Sequence, residues 1–583
     1  MLSPAAPDTS NGFLILDLGI SLIGIALGYV SPSLGLGFFR LIELAFMQLA
    51  RKKGLAVLVT GLAVVLLRLA ILPIFPIPKP FVPDDFSFLL AANTFASGRL
   101  ANPTPAMWRS FETIHITMKP TYMSMYFPGQ GLLLAAGKVV LGNPWFGVVI
   151  ASALMCAAIC WALQAWLPPG WALFGGLIAV VRLGLFTCWT NTYHAAGSLA
   201  AIGGALVIGS APRLIKTARM RYGVLMGIGI AILILTRPFE GMLLCLPVAV
   251  LLGRWVIKGE NRPPMPVLIR RACLPVMVLA CAGLWMGYYD YKAFGSPLTL
   301  PYTVDRNTYA VAPYYIWQHA RPVPVYSNSV MRRFYTHDEY ESYAKMHTGA
   351  GFVSMTLLKV YLTFMFYAGF ALLLPLVMIR RVFLDKRLRF LVLCCLVLVA
   401  GMSIEIYLLP HYVAPFTAVF YAIGLQCMRH LRVLKSNRQP VGLSMVRSIA
   451  VVIVLLAGLR LFARPLHVGV PQQPTSGWNS TWFGPEHYGD DRARVEAQLD
   501  GLPCQQLAIV RYGPKHDNLN EWVYNSPDID ASKVVWAREL DTADNKELID
   551  YYRNRTIWLV EPDASPVTVS QYPVQVASSA GAR

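Results

Sequence analysis

The feature that most constrains this chain is an alternation of apolar runs with short basic clusters. Runs such as 55–75, 145–166, 354–379 and 390–408 carry few or no charges. About twenty apolar residues suffice to cross ~30 Å of hydrocarbon as a helix. Inside lipid every backbone N–H and C=O must find a partner within the structure that crosses, and runs of this length satisfy that as helices. An all-α polytopic transmembrane bundle follows. With 56% hydrophobic and 14% charged residues, the 583-residue chain stands far from the roughly 25% charged of soluble domains.

The net charge of +19 raises nucleic acid as a partner, but no nucleic-acid motif is present, and the Lys and Arg sit between apolar runs as in cytoplasmic loops. Nucleic-acid binding is therefore set aside. Of the ten Cys, all but Cys504 lie in or beside apolar segments, which argues for packing residues and against a disulfide scaffold.

Threading the basic clusters orders the chain. Run 13–30 contains Asp17; run 34–50 contains Arg40 and Glu43 and reads as an interfacial helix or a span. Arg51-Lys52-Lys53 sets a cytoplasmic edge, and 55–75 crosses outward, leaving Asp84 and Asp85 outside. An external loop over 76–142 follows, broken by Pro, with a helix expected at 85–98. Spans are expected at 145–166, 171–189 and 195–210, then a short hairpin of 222–235 and 241–253 whose turn, Thr236 to Glu240, sits within the membrane boundary. Run 273–289 leads to a second external loop, 290–353, rich in Tyr, and 354–379, 390–408, 413–427 and 446–462 complete about eleven spans. Three regions result: 1–50, a hydrophobic or interfacial segment; 51–462, the transmembrane domain; and 463–583, a small extracytoplasmic α/β domain. In the last, 507–512, 533–537 and 556–560 read as strands, and 544–553 as a helix capped by an Asp.

Asp84 and Asp85 precede an apolar helical segment, so they serve either as N-terminal capping groups or as chemistry. In the second case one carboxylate removes a proton from an acceptor hydroxyl or amine, and the other orients it or helps hold a divalent cation. No metal or cofactor is otherwise called for: the tail has no metal-ligand spacing, and Asn479-Ser480-Thr481 is an isolated glycosylation pattern.

Asp84-Asp85 after the first outward span, Phe95-Ala96-Ser97-Gly98-Arg99-Leu100, and Tyr126-Phe127-Pro128-Gly129-Gln130-Gly131 together resemble the first external loop of GT-C glycosyltransferases. These polytopic enzymes are similar to the protein O-mannosyltransferases and the lipid A aminoarabinose transferases. A further likeness, to a bacterial branch, is carried by Phe111-Glu112-Thr113, Pro120-Thr121-Tyr122, Trp285-Met286-Gly287-Tyr288-Tyr289, Tyr309-Ala310-Val311-Ala312-Pro313-Tyr314 and Asp530-Ala531-Ser532-Lys533-Val534-Val535-Trp536. The resemblance implies a sugar carried on a polyprenyl phosphate and an acidic base in this loop, here Asp84. Asp85 departs from the usual Glu, and His194-Ala195-Ala196 stands where the branch has Trp-Gly-Gly.

Within that frame Arg99, Arg109 and Lys119 suit a donor phosphate, or anchor to lipid headgroups. His115 is a phosphate or acceptor contact, or plain polar surface. Arg237 and Glu240 form an ion pair holding the turn, or Arg237 meets the phosphate with Glu240 fixing it. Tyr122, Tyr126, Tyr302, Arg306 and Tyr309 are candidate substrate contacts, since aromatic rings stack on sugar faces; His411, beside Tyr412, ends a span on the same side. The expected function is a glycosyltransferase of the bacterial inner membrane, moving a sugar from a polyprenyl-phosphate donor to an envelope lipid, glycan or protein. A lipid-linked saccharide flippase and a non-catalytic envelope scaffold are the alternatives.

Overall fold

A computed structural model of the chain describes residues 10–573, apart from 195, 260–261, 387, 464 and 467–488. The Asn479-Ser480-Thr481 pattern lies outside the described residues. Among these residues seven helices are long and apolar enough to cross a membrane: Lys53–Ala70, Trp145–Leu163, Gly197–Thr217, Pro238–Lys258, Met265–Phe294, Gly349–Tyr367 and Val441–Leu461. Phe370–Leu384 with Arg389–Ile404, bent by 113°, makes an eighth if the pair is one span. The expected count of about eleven is met only by adding shorter apolar helices, among them Leu14–Val30, Pro169–Arg182 and Met220–Ile234.

Local chemistry explains the differences. The expected run 354–379 is interrupted after Tyr367 by Gly369, which takes φ +61°. Arg182 donates to the carbonyls of Met365 (2.6 Å) and Tyr367 (3.1 Å), which have lost their helical donors at this end. Its guanidinium lies 2.4 Å from where a Cβ on Gly369 would stand, so that space is reserved. The expected short hairpin is half right: Met220–Ile234 has 15 residues, but Pro238–Lys258 has 21 and continues through Pro247. Proline at the first helical position starts that second helix, with Arg237 at its N-cap.

In the first external loop a helix, Pro83–Ala96, stands where one is expected. Beside it β1 (Asn102–Pro103), β2 (Ile116–Thr117) and β3 (Thr121–Ser124) form a small antiparallel sheet in the order β1-β3-β2. The second loop holds Pro301–Tyr309, Ser329–Arg333 and Glu339–Met346.

The tail folds as β4 (Gln506–Val510), β5 (Val534–Arg538), β6 (Thr556–Glu561) and β7 (Thr568–Gln571), in the order β5-β4-β6-β7. β5, β4 and β6 are parallel, with Leu507 opposite Val535 and Ile557; β7 closes the edge antiparallel. Helix Thr542–Tyr551 makes the crossover from β5 to β6, and Asp541 caps it by accepting the Asp544 N–H at 2.8 Å. The helix Asp490–Asp500 and β7 are additions to the expected elements. β4 and β5 are buried at every position, so both faces of the sheet are covered. Ala508, Val510, Val534 and Trp536 pack on Val495, Leu499 and Trp522 of the tail. Their alternates, Leu507, Ile509, Val535 and Ala537, pack on Leu90, Phe111, Ile116, Met118 and Tyr122 of the first loop. The sheet therefore shares one of its two cores with the loop that carries Asp84.

Candidate active site

Helix Pro83–Ala96 has Val82 as its N-cap, in an extended conformation, and no side-chain capping bond. Capping is thus not what Asp84 and Asp85 do, although both lie in the first turn, where the helix dipole favours anions. Successive helical residues point about 100° apart, and this separates the two carboxylates. Asp85 is 1% exposed; one oxygen accepts the Tyr193 N–H and faces His194 Nδ1, both at 2.9 Å, and the other accepts the Phe81 N–H at 3.4 Å. Asp84 instead lines a cavity of about 480 Å³.

Asp84 accepts the Tyr126 hydroxyl and stands 3.4 Å from His115 Nδ1. Tyr126 Oη is 3.1 Å from the same nitrogen. Because the one Tyr126 proton goes to Asp84, Nδ1 of His115 carries the proton that this contact needs, which leaves Nε2 as the ring's other nitrogen. Ser87, three residues after Asp84 on the same helix face, donates to the His115 carbonyl at 2.6 Å, and Met125 N–H donates to it at 3.2 Å. One residue further on, Phe88 stacks on Tyr126 with centroids 4.3 Å apart. A single helix face thus sets the carboxylate, the imidazole backbone and the tyrosine ring.

Burial alone would raise the Asp84 carboxyl, but the charge and hydrogen bond of His115, the charge of His194 and the Tyr126 hydroxyl hold it well below the usual carboxylate range. Burial works against a charged His115, yet Asp84, then Asp305 and Glu339, raise it above its ordinary value. Asp305 is pushed up to about 6 by burial, against the pull of His115 and Arg306.

Of the candidate residues, Asp84, His115, Tyr126, Arg237, Glu240, Tyr302 and Arg306 line the one cavity. Arg237 is 8% exposed, and its guanidinium lies 3.9 Å from the centre of the Tyr412 ring. Among the described residues it forms no ion pair within 4.0 Å, Glu240 included, and its Nε has no hydrogen-bond partner. The expected Arg237–Glu240 pair is therefore replaced by a stack on Tyr412. Arg306 is the opposite case: both Glu339 oxygens accept from it at 2.8 Å, and the Ala312 carbonyl accepts from it as well. Tyr302 forms an aromatic wall with Tyr126, Phe127 and Tyr314, at centroid separations of 5.2–5.7 Å.

The other candidates lie elsewhere. Arg99 bonds to Ser97 Oγ at the surface, and the Lys119 ammonium sits 4.1 Å over the Trp108 ring. Arg109 pairs with Asp544 of the tail at 3.0 Å. The buried Tyr122 hydroxyl donates to the Asn525 carbonyl, and Tyr309 stacks on Tyr335. His411 is buried outside the cavity lining, its ring 6.5 Å from that of His194. Asp84 faces the cavity whereas Asp85 faces Tyr193 and His194, so the two carboxylates serve different partners; among the described residues no group of three or more His, Cys, Asp or Glu could hold a metal ion.

Sequence reasoning missed Glu339, Lys359, Glu405 and Tyr407, all of which line the cavity. Lys359 and Glu405 are charges inside otherwise apolar runs, a signal that was there to read. Lys359 donates to the Met402 carbonyl at 3.1 Å and to that of Glu405. Leu519 reaches the cavity from the tail, which nothing local in the sequence announces.

No family model matches the chain, and no curated protein matches it. Among solved structures, the chain is similar to the Archaeoglobus fulgidus oligosaccharyltransferase tethered with an acceptor peptide, at TM-score 0.45 and 11% identity, over 87% of this chain and 68% of that one. It is also similar to ArnT from Cupriavidus metallidurans in the apo state, at TM-score 0.45 and 14% identity, over 86% and 92%. The same protein bound to undecaprenyl phosphate gives TM-score 0.46 and 14% identity, over 85% and 92%.

Proposed function

We propose that the chain is a membrane glycosyltransferase that moves a sugar from a polyprenyl-phosphate donor to a hydroxyl or amine of an envelope acceptor. The reaction takes place on the extracytoplasmic face of a bacterial plasma membrane, where the tail also lies. The observation that carries this reading is one cavity that holds both the Asp84 carboxylate, its pKa kept low by His115 and Tyr126, and the buried Arg237 guanidinium, which among the described residues has no ion-pair partner. The same cavity is lined by an aromatic wall suited to a sugar face, in which Tyr302 contacts Tyr126, Phe127 and Tyr314.

Asp84 takes the acceptor's proton as the acceptor attacks the anomeric carbon, and the phosphate leaves toward Arg237 with inversion. Arg237 suits that role because a stacked guanidinium keeps its planar fork of donors, and because charge developing on a leaving phosphate is best met by a preorganised cation. His115 sets how basic Asp84 is: protonated, it weakens the carboxylate as a base; neutral, it still donates through Nδ1 and leaves Asp84 stronger. Asp85 takes no proton from substrate in this scheme and holds the 193–194 segment through Tyr193 and His194.

The test is sugar transfer by the purified full chain in lipid nanodiscs, read as release of undecaprenyl phosphate from sugar-labelled undecaprenyl-phosphate donors. Asp84→Asn is expected to lower transfer by about 10²–10⁴-fold, the usual weight of a general base. Full transfer by a correctly inserted Asp84→Asn protein would sink the proposal.

A further inference from the structure

We propose that Glu521, in the C-terminal tail, is a positioning residue for the Asp84–His115 couple; this role rests on the reaction proposed above. Glu521 is 2% exposed and sits on the segment between β4 and β5. Its carboxylate accepts the Thr113 hydroxyl, the Tyr512 hydroxyl at 2.6 Å, Arg538 Nη2 at 2.9 Å, and the N–H groups of Trp522 and Val523 at 2.9 and 2.8 Å. Its own N–H donates to the Phe81 carbonyl at 3.0 Å. Thr113 lies two residues before His115, and Phe81 lies three before Asp84. One tail residue therefore grips both segments that bring the carboxylate and the imidazole together.

Charge makes that grip firm, since bonds to an ionised carboxylate are shorter and roughly twice as strong as neutral ones. Between Thr113 and His115 stands Ile114, fully buried against Tyr309, Met331 and Phe334, so a shift at Thr113 is passed on to His115 rather than absorbed. Tyr524, three residues beyond Glu521, adds a second hold by stacking on Phe86 at 4.7 Å and accepting from Asn93 at 3.1 Å. The groups facing His115 itself are Asp84, Tyr126, Asp305 and Glu339, and none of them is altered by a change at Thr113.

Thr113→Val keeps the side-chain shape, removes the bond to Glu521 and leaves the Arg538–Glu521 pair in place. The readout is the ¹⁵N spectrum of histidine-labelled full chain in nanodiscs at about pH 9, where imidazoles are neutral, with His115 assigned from His115→Gln. The parent protein is expected to show His115 protonated on Nδ1. Thr113→Val is expected to lose that signature toward the Nε2–H form that free imidazole prefers, and to lower transfer kcat on the order of 10–100-fold with donor KM unchanged. Thr113→Ser is expected to restore both. Lys79→Ala, which breaks an exposed first-loop contact to Asp490 in the tail, is expected to change neither. An intact Nδ1 signature in Thr113→Val overturns the role, as does its loss in Lys79→Ala. If the signature is lost in Thr113→Val while Asp84→Asn keeps full transfer, the positioning stands and the reaction reading falls.

Discussion

Asp84 and Asp85 are adjacent in sequence and opposite in circumstance. The helix turn sends one to the cavity and the other to Tyr193 and His194. Their coupling to histidine gives the site a pH dependence with a definite sign. His115 is raised above its ordinary value of about 6.5, so below its own pKa it is a cation beside Asp84 and weakens that base. Transfer kcat/KM should therefore rise with pH, with its acid limb above about pH 6.5. Asp305→Asn removes one of the negative charges that raise His115, so the limb should move to lower pH, read from the kcat/KM profile. Arg237 gives a second prediction. Arg237→Lys keeps the charge but loses the planar stack on Tyr412, and should weaken undecaprenyl phosphate binding by about 1–2 kcal/mol, about 5–30-fold, in a titration. Tyr412→Phe should bind as the parent does, because the ring face is kept. Asp84 was legible in the sequence, as an acid at the end of an outward run. Its difference from Asp85 came only from the family resemblance and not from the residues themselves, because that depends on where the helix starts. Arg237 was legible as a cation at a turn, but its partner was misread: Glu240 is three residues away in sequence, whereas the partner is a ring from another turn, Tyr412.

At the scale of elements, membrane helices were legible where apolar length alone decides, as in Trp145–Leu163, and illegible where a side chain from elsewhere ends a helix, as Arg182 does beside Gly369. Close backbone approach is a further case of this. A Cβ on Gly204, in helix Gly197–Thr217, would fall 1.8 Å from the Pro415 carbonyl oxygen. Pro415 belongs to the short helical turn Ala414–Phe416, which follows His411 and Tyr412, so this contact also seats the ring under Arg237. Gly204→Ala should overpack that crossing and destabilise the protein by about 1–3 kcal/mol, seen as a lower thermal-unfolding midpoint in nanodiscs. Gly424→Ala is the control: nothing lies within 4 Å of its Cβ position, so helix propensity alone should leave the midpoint unchanged or raised.

At the scale of the whole molecule, the tail and the first loop are joined rather than juxtaposed. The strands of the tail were legible from their β-branched and aromatic runs, and the unbroken burial of Leu507-Ala508-Ile509-Val510 matches a sheet covered on both faces. What covers the second face was not legible, because Phe111, Ile116 and Met118 stand roughly 400 residues away in sequence and no local pattern points to them. The same distance hides the Thr113–Glu521 bond. This changes what perturbing the tail reports. In sequence the tail reads as a small α/β domain of its own, yet removing it would strip an apolar face from the loop that carries Asp84. A finer cut separates stability from positioning. Arg538 and Glu521 pair at 2.9 Å with side chains 2% and 1% exposed. Glu521→Leu alone leaves the Arg538 charge buried without its carboxylate and should cost about 3–5 kcal/mol. Adding Arg538→Met removes the unpaired buried charge and should return part of that loss, while the Tyr512 hydroxyl and the Trp522 and Val523 N–H groups still lack their acceptor. Transfer should not return with it, because Thr113 still lacks its acceptor. Thermal midpoint and kcat measured on the same three proteins therefore decide whether Glu521 serves only the fold or also the site. Recovery of both in the double variant assigns it to the fold alone; recovery of the midpoint without kcat assigns it to the Asp84–His115 couple.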